Sequence, residues 1–67
     1  MIERGVIVGF DPDRGIGEVA GSYGGRHPFH CTAIADGSRS IEAGTEVVFT
    51  LEPGRMGEWE ATDISSR

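Results

Sequence analysis

Glycine interrupts this chain eleven times in 67 residues, and that spacing restricts the fold more than any single motif. A glycine inside a helix costs about 1 kcal/mol relative to alanine, and the pieces left between the glycine-rich breaks are short and rich in β-branched and apolar residues. Strands suit such pieces, whereas helices are hard to place. The stretch from Gly5 to Phe10, GVIVGF, predicts a first strand ending at Asp11-Pro12-Asp13-Arg14-Gly15, where proline presets a turn and Gly15 can take positive φ. Ile16 to Ala20 predicts a second strand, closed by the loop Gly21-Ser22-Tyr23-Gly24-Gly25, and His27 to Cys31 a third. Thr32-Ala33-Ile34 is expected to form one helical turn, and Ala35 to Ala43 a long irregular connection. Thr45 to Leu51, TEVVFTL, alternates so that Val47, Phe49 and Leu51 share a core face. The chain then turns at residues 52–57 and closes with a fifth strand from Glu58 to Ile64.

Five short antiparallel strands without an amphipathic helix have to hide their edges, and curling into a small, partly open barrel does so economically. The expected organisation is one all-β domain over residues 1–67, because a chain this short removes only about 60% of its unfolded surface from water and cannot feed two cores. A composition of 37% hydrophobic and 25% charged residues is that of a soluble globular protein, with no apolar run of membrane-spanning length. Met1 to Gly5 carries no export signal, and Cys31 has no second cysteine to pair with, so a reducing cytoplasmic setting is expected. Eleven acids face six arginines and no lysine, giving a net charge of −5. That balance opposes a phosphate-binding role unless the basic residues gather on one face.

Read in order, the residues resemble the cold-shock domain family, a small oligonucleotide-binding (OB) barrel. Gly5-Val6-Ile7-Val8-Gly9-Phe10-Asp11 resembles that family's G-x-V-K-W-F-N, and Arg14-Gly15-Ile16-Gly17-Glu18-Val19 resembles its first RNP motif, K-G-F-G-F-I. His27-Pro28-Phe29-His30-Cys31-Thr32-Ala33-Ile34 resembles the second motif, V-F-V-H-F-S-A-I. Asp36 to Gly44 followed by Val47-Val48-Phe49 resembles D-G-x-[KR]-[ST]-L-x-x-G…V-x-F, and Ala61-Thr62-Asp63-Ile64 resembles the closing A-x-N-V, with one residue inserted near Trp59. The resemblance spans nearly the whole chain and implies a five-stranded antiparallel OB-fold barrel that binds single-stranded RNA or DNA.

The implied binding residues are Phe10, Arg14, Ile16, His30 and Arg39, the last in the long loop. Family members stack bases on exposed aromatics, each stack being worth about 1–3 kcal/mol. Here Gly9 takes the place of the first-strand tryptophan, Ile16 and Glu18 those of the two RNP1 phenylalanines, and Pro28 and Cys31 those of the outward RNP2 phenylalanines. Ile16 and Glu18 share one face of a strand, so a carboxylate is expected in the middle of the binding surface, where it repels phosphate. The expectation is weak or altered nucleic-acid binding. The alternative is a protein-interaction module, or a homodimer, using the barrel edge or the apolar patch around Val8, Phe10 and Ile16.

Other motifs carry less. Gly15-Ile16-Gly17-Glu18-Val19-Ala20 satisfies G-x-G-x-x-[G/A], with Asp36 near the distance of a ribose-binding acid, but glycines and Pro28 follow too soon for the required helix and crossover. His27, His30 and Cys31 fall within five residues, yet His27 and His30 point to opposite faces of a strand and no second ligand pair exists, so no metal or cofactor is expected. Ser22, Ser38 and Ser40 lack a G-x-S-x-G elbow, and no enzymatic activity is expected. Trp59 is expected at the core or rim, Phe29 and Phe49 inside, and Phe10 at the surface.

Overall fold

A computed structural model describes residues 1–54 and 57–67. Five strands run in the order β1 (Ile2–Asp11), β2 (Ile16–Gly21), β3 (Arg26–His30), β4 (Glu46–Pro53) and β5 (Trp59–Ser66), with a 3₁₀ turn at Cys31–Ala33 after β3. They form one antiparallel sheet of order β3-β2-β1-β4-β5, whose ladder does not close. The sheet curls until β3 lies near β5. At the seam, Ile34 bridges Ile64 in parallel, and the Ala35 N–H donates to the Ile64 carbonyl at 2.9 Å. This is the partly open OB-like barrel expected from five edge-hiding strands.

The turn chemistry lies where the sequence puts it. Gly15 has φ +67 and its N–H donates to the Asp11 carbonyl at 2.8 Å, closing the turn between β1 and β2. Asp11 Oδ1 accepts from the Asp13 and Arg14 amides, which ties the turn down. The inner face of the sheet carries Ile7, Val19, Phe29, Val47, Phe49, Leu51, Ala61 and Ile64, joined by Ile34 from the loop side. Val47, Phe49 and Leu51 are buried as their alternation requires, and Phe29 and Phe49 pack inside.

Several boundaries move. β1 starts at Ile2 rather than Gly5, because residues 2–4 pair with residues 48–50 of β4. That pairing turns Glu3 inward, 4% exposed, where Oε2 accepts from the Tyr23 N–H at 3.2 Å. Gly21 makes room for it, since a Cβ there would fall within 1.8 Å of Oε2. β3 begins one residue earlier than expected and gives Cys31 to the 3₁₀ turn, and β5 runs on to Ser66. The expected turn at residues 52–57 is in part strand, with Glu52 and Pro53 ending β4, while residues 55 and 56 lie outside the described residues. Among the described residues no helix is long and apolar enough to cross a membrane.

Candidate functional site

The outer face of β1, β2 and β3 is built by two registers. Ile16 stands directly opposite His30 and Glu18 opposite Pro28 across β2 and β3, and Gly9 stands opposite Glu18 across β1 and β2. Directly opposed residues of an antiparallel pair project to the same side. Gly9, Ile16, Glu18, Pro28 and His30 therefore share one surface, and the expected co-location of Ile16 and Glu18 is present. Val8 joins them as the extra residue of a β-bulge, where the register passes from Ile7–Val19 to Gly9–Glu18.

That bulge sets the side on which Phe10 lies. Phe10 pairs with Gly17, on the side that carries Val19 and Phe29, and is partly buried against the core. Its ring stacks on Phe29 with centroids 6.0 Å apart and planes 17° apart. Gly17 makes the stack possible, because a Cβ there would lie 2.6 Å from Phe29 Cζ and 2.8 Å from Phe10 Cδ1. Phe10 thus packs on Phe29 while still bordering the outer cleft.

His30 is exposed and held. Its Nδ1 accepts from the Thr32 N–H at 3.3 Å and lies 3.1 Å from Thr32 Oγ1, which assigns the proton of the neutral ring to Nε2. The β1–β2 turn reaches the same end of the sheet, since the Cys31 N–H donates to the Gly15 carbonyl at 2.8 Å. Arg14, exposed in that turn, is therefore a neighbour of the Ile16–His30 pair. Arg39, exposed in the long loop, borders a separate hollow with Cys31, Thr32 and Ser38. His27 points to the opposite side of the sheet, 6.0 Å from Phe49 ring to ring.

Three residues that sequence reasoning passed over shape the electrostatics. Arg26 Nη1 lies 3.4 Å from Glu18 Oε1, a diagonal cross-strand pair with side chains 65% and 46% exposed. The carboxylate expected to repel phosphate is thus partly balanced by a guanidinium two residues before Pro28. Glu60 borders the groove of Ile16, Pro28 and His30, and it stands directly opposite Glu52 on β4. Two like charges so placed repel each other and darken the β5 side of the surface with negative potential. Trp59, opposite Pro53 and beyond the buried Leu51–Ala61 pair, takes the rim position and is 51% exposed.

A cleft of about 450 Å³ runs over this face, lined by Val8, Gly9, Phe10, Asp11, Ile16, Gly17, Glu18 and Pro28. With its mostly apolar walls, it can hold a flat or aliphatic group against backbone. Glu18 adds a hydrogen-bond acceptor, and Arg14 and Arg26 add exposed positive charge at its margins.

No protein-family model and no curated protein matches this sequence. Among solved structures, the chain is similar to "drosophila Unr CSD456", with a TM-score of 0.82 and 28% identity over 100% of this chain. It spans 27% of the length of that chain. The likeness covers every strand, so the barrel has a cold-shock, OB-like fold.

Proposed function

We propose that the protein binds single-stranded RNA or DNA, weakly, on the outer face of β1, β2 and β3. The observation that carries this reading is the Ile16–His30 pair, an aliphatic and an imidazole side by side on one groove, with Ile16 also lining the adjoining apolar cleft, in a fold similar to a cold-shock domain of Unr. Ile16 and His30 supply contact area to a base, Arg14 meets the backbone beside them, Arg39 extends the track along the loop, and Phe10 contributes the part of its ring that borders the cleft. With the phenylalanine and tryptophan positions taken by Gly9, Ile16, Glu18 and Pro28, at least three stacks are missing. At about 1–3 kcal/mol each, their loss removes several kcal/mol of affinity. A cytoplasmic setting suits the unpaired Cys31.

Anisotropy of labelled pyrimidine-rich oligonucleotides, followed at two salt concentrations, tests the reading. Saturable binding at micromolar protein and low salt is expected, and its absence at high micromolar protein sinks it. A second reading, a protein-interaction module on the same barrel, is favoured by the opposed Glu52 and Glu60 and the net charge of −5. It predicts capture of a basic peptide in place of an oligonucleotide.

A further inference from the structure

Resting on the nucleic-acid reading, we infer that the slot between Gly9 and Glu18 selects guanine. Gly9 and Glu18 are direct cross-strand partners on the outer face. Nothing lies within 4 Å of where a Cβ on Gly9 would stand, so the position facing the carboxylate is empty space. Val8, Ile16 and Pro28 wall that space. A base entering it lies against aliphatic groups and meets Glu18, while Asp11, the other carboxylate on the cleft, has its Oδ1 taken up by the Asp13 and Arg14 amides.

A carboxylate only accepts hydrogen bonds, and it accepts best from two parallel N–H donors. Among the bases, guanine alone presents two adjacent donors, N1–H and the N2 amino group, on its pairing edge. Uracil and thymine present one donor between two carbonyl oxygens, which the carboxylate repels. Cytosine and adenine present one amino donor beside a ring-nitrogen acceptor. Glu18 Oε1 accepts from Arg26 Nη1 at 3.4 Å from the β3 side, away from Gly9, an exposed pair that offsets part of the carboxylate's charge against the incoming phosphates. The substitutions that cost the face its stacking rings therefore convert a sequence-tolerant platform into one that reads a base edge.

The test uses four labelled thymidylate heptamers whose middle base is T, C, A or G, titrated against the intact protein at low salt. The guanine heptamer is expected to bind about ten-fold more tightly than the all-thymine one, the discrimination typical of a bidentate base contact. In Glu18→Gln the preference disappears, because an amide offers one acceptor and a clashing donor, while thymine affinity does not fall. Gly9→Phe fills the slot; it is expected to abolish the guanine preference and to raise binding of all four by restoring a stacking ring. Equal binding of the four heptamers by the wild-type protein overturns the inference and leaves the nucleic-acid reading standing, as does a guanine preference that survives Glu18→Gln. Failure of all four to bind overturns both, and binding of an arginine-rich peptide that Glu18→Gln abolishes then assigns the slot to a protein partner.

Discussion

Gly9, opposite Glu18, and Gly17, opposite Phe10, lie one step apart in register and have opposite duties. Gly17 sits under the Phe10–Phe29 stack, and a Cβ on it would lie 2.8 Å from the Gly9 carbonyl oxygen as well as against both rings, so neither ring nor backbone can yield cheaply. Gly17→Ala is expected to lower stability by about 1–3 kcal/mol, the usual cost of overpacking. Gly9→Ala meets open space and should leave stability unchanged or raise it by about 0.4–1 kcal/mol through the unfolded chain. Urea unfolding of the two variants, followed by Trp59 fluorescence, checks the contrast, and equal effects would contradict it. Asp36 supplies a pH-dependent prediction. The Ser38 backbone N–H, at 2.8 Å from Oδ1, and then the Ser38 hydroxyl hold the Asp36 carboxyl below its ordinary value. A depressed folded value stabilises the loop above the unfolded carboxylate value and loses that contribution as pH falls through the folded one. The Ser38 amide resonance should therefore shift only below the ordinary aspartate range, and a midpoint within that range would remove the bond from solution.

At the scale of elements, the pairing of β4 with β5 carries an unfavourable contact that neither strand reveals alone. Glu52 and Glu60 are direct partners, both exposed. Glu60→Arg replaces repulsion with attraction and is expected to stabilise the protein by about 0.2–1 kcal/mol, measurable as a higher urea midpoint. Because Glu60 also borders the groove of Ile16 and His30, the same variant should bind oligonucleotides more tightly. A gain in stability with no gain in binding would place the oligonucleotide elsewhere. Further along β5, the register shift against β4 places Asp63 at φ +49, the one non-glycine residue with positive φ among those described. Aspartate tolerates that conformation and β-branched residues do not. Asp63→Val should therefore cost about 1–2 kcal/mol in the same assay.

For the molecule as a whole, few cations among the described residues are available to meet phosphates. Among the described residues, Arg14, Arg26 and Arg39 are the exposed arginines at or near the face, and three such contacts give a dependence of log K on log salt with a slope of about −2, from roughly 0.7 per phosphate on single strands. A slope near −5 would mean a different surface is engaged. Much of the architecture was legible from the sequence alone. Turn glycines such as Gly15 and the two-residue alternation of Val47, Phe49 and Leu51 are local properties, set by φ and by the pleat, so they survive whatever the strands later pair with. The binding face was less legible, because it depends on register. Strict alternation from the buried Ile7 points Phe10 outward; the extra residue at Val8 inverts that, sending Phe10 onto Phe29 and presenting Gly9 to Glu18. The burial of Glu3 over Gly21, the Glu18–Arg26 pair and the opposition of Glu52 to Glu60 are likewise contacts between separate strands. Local sequence chemistry determined where this chain extends and turns, and which residues seek the core. Only the tertiary pairing decided which side chains meet across strands, since a one-residue change of register carries every later side chain to the other face.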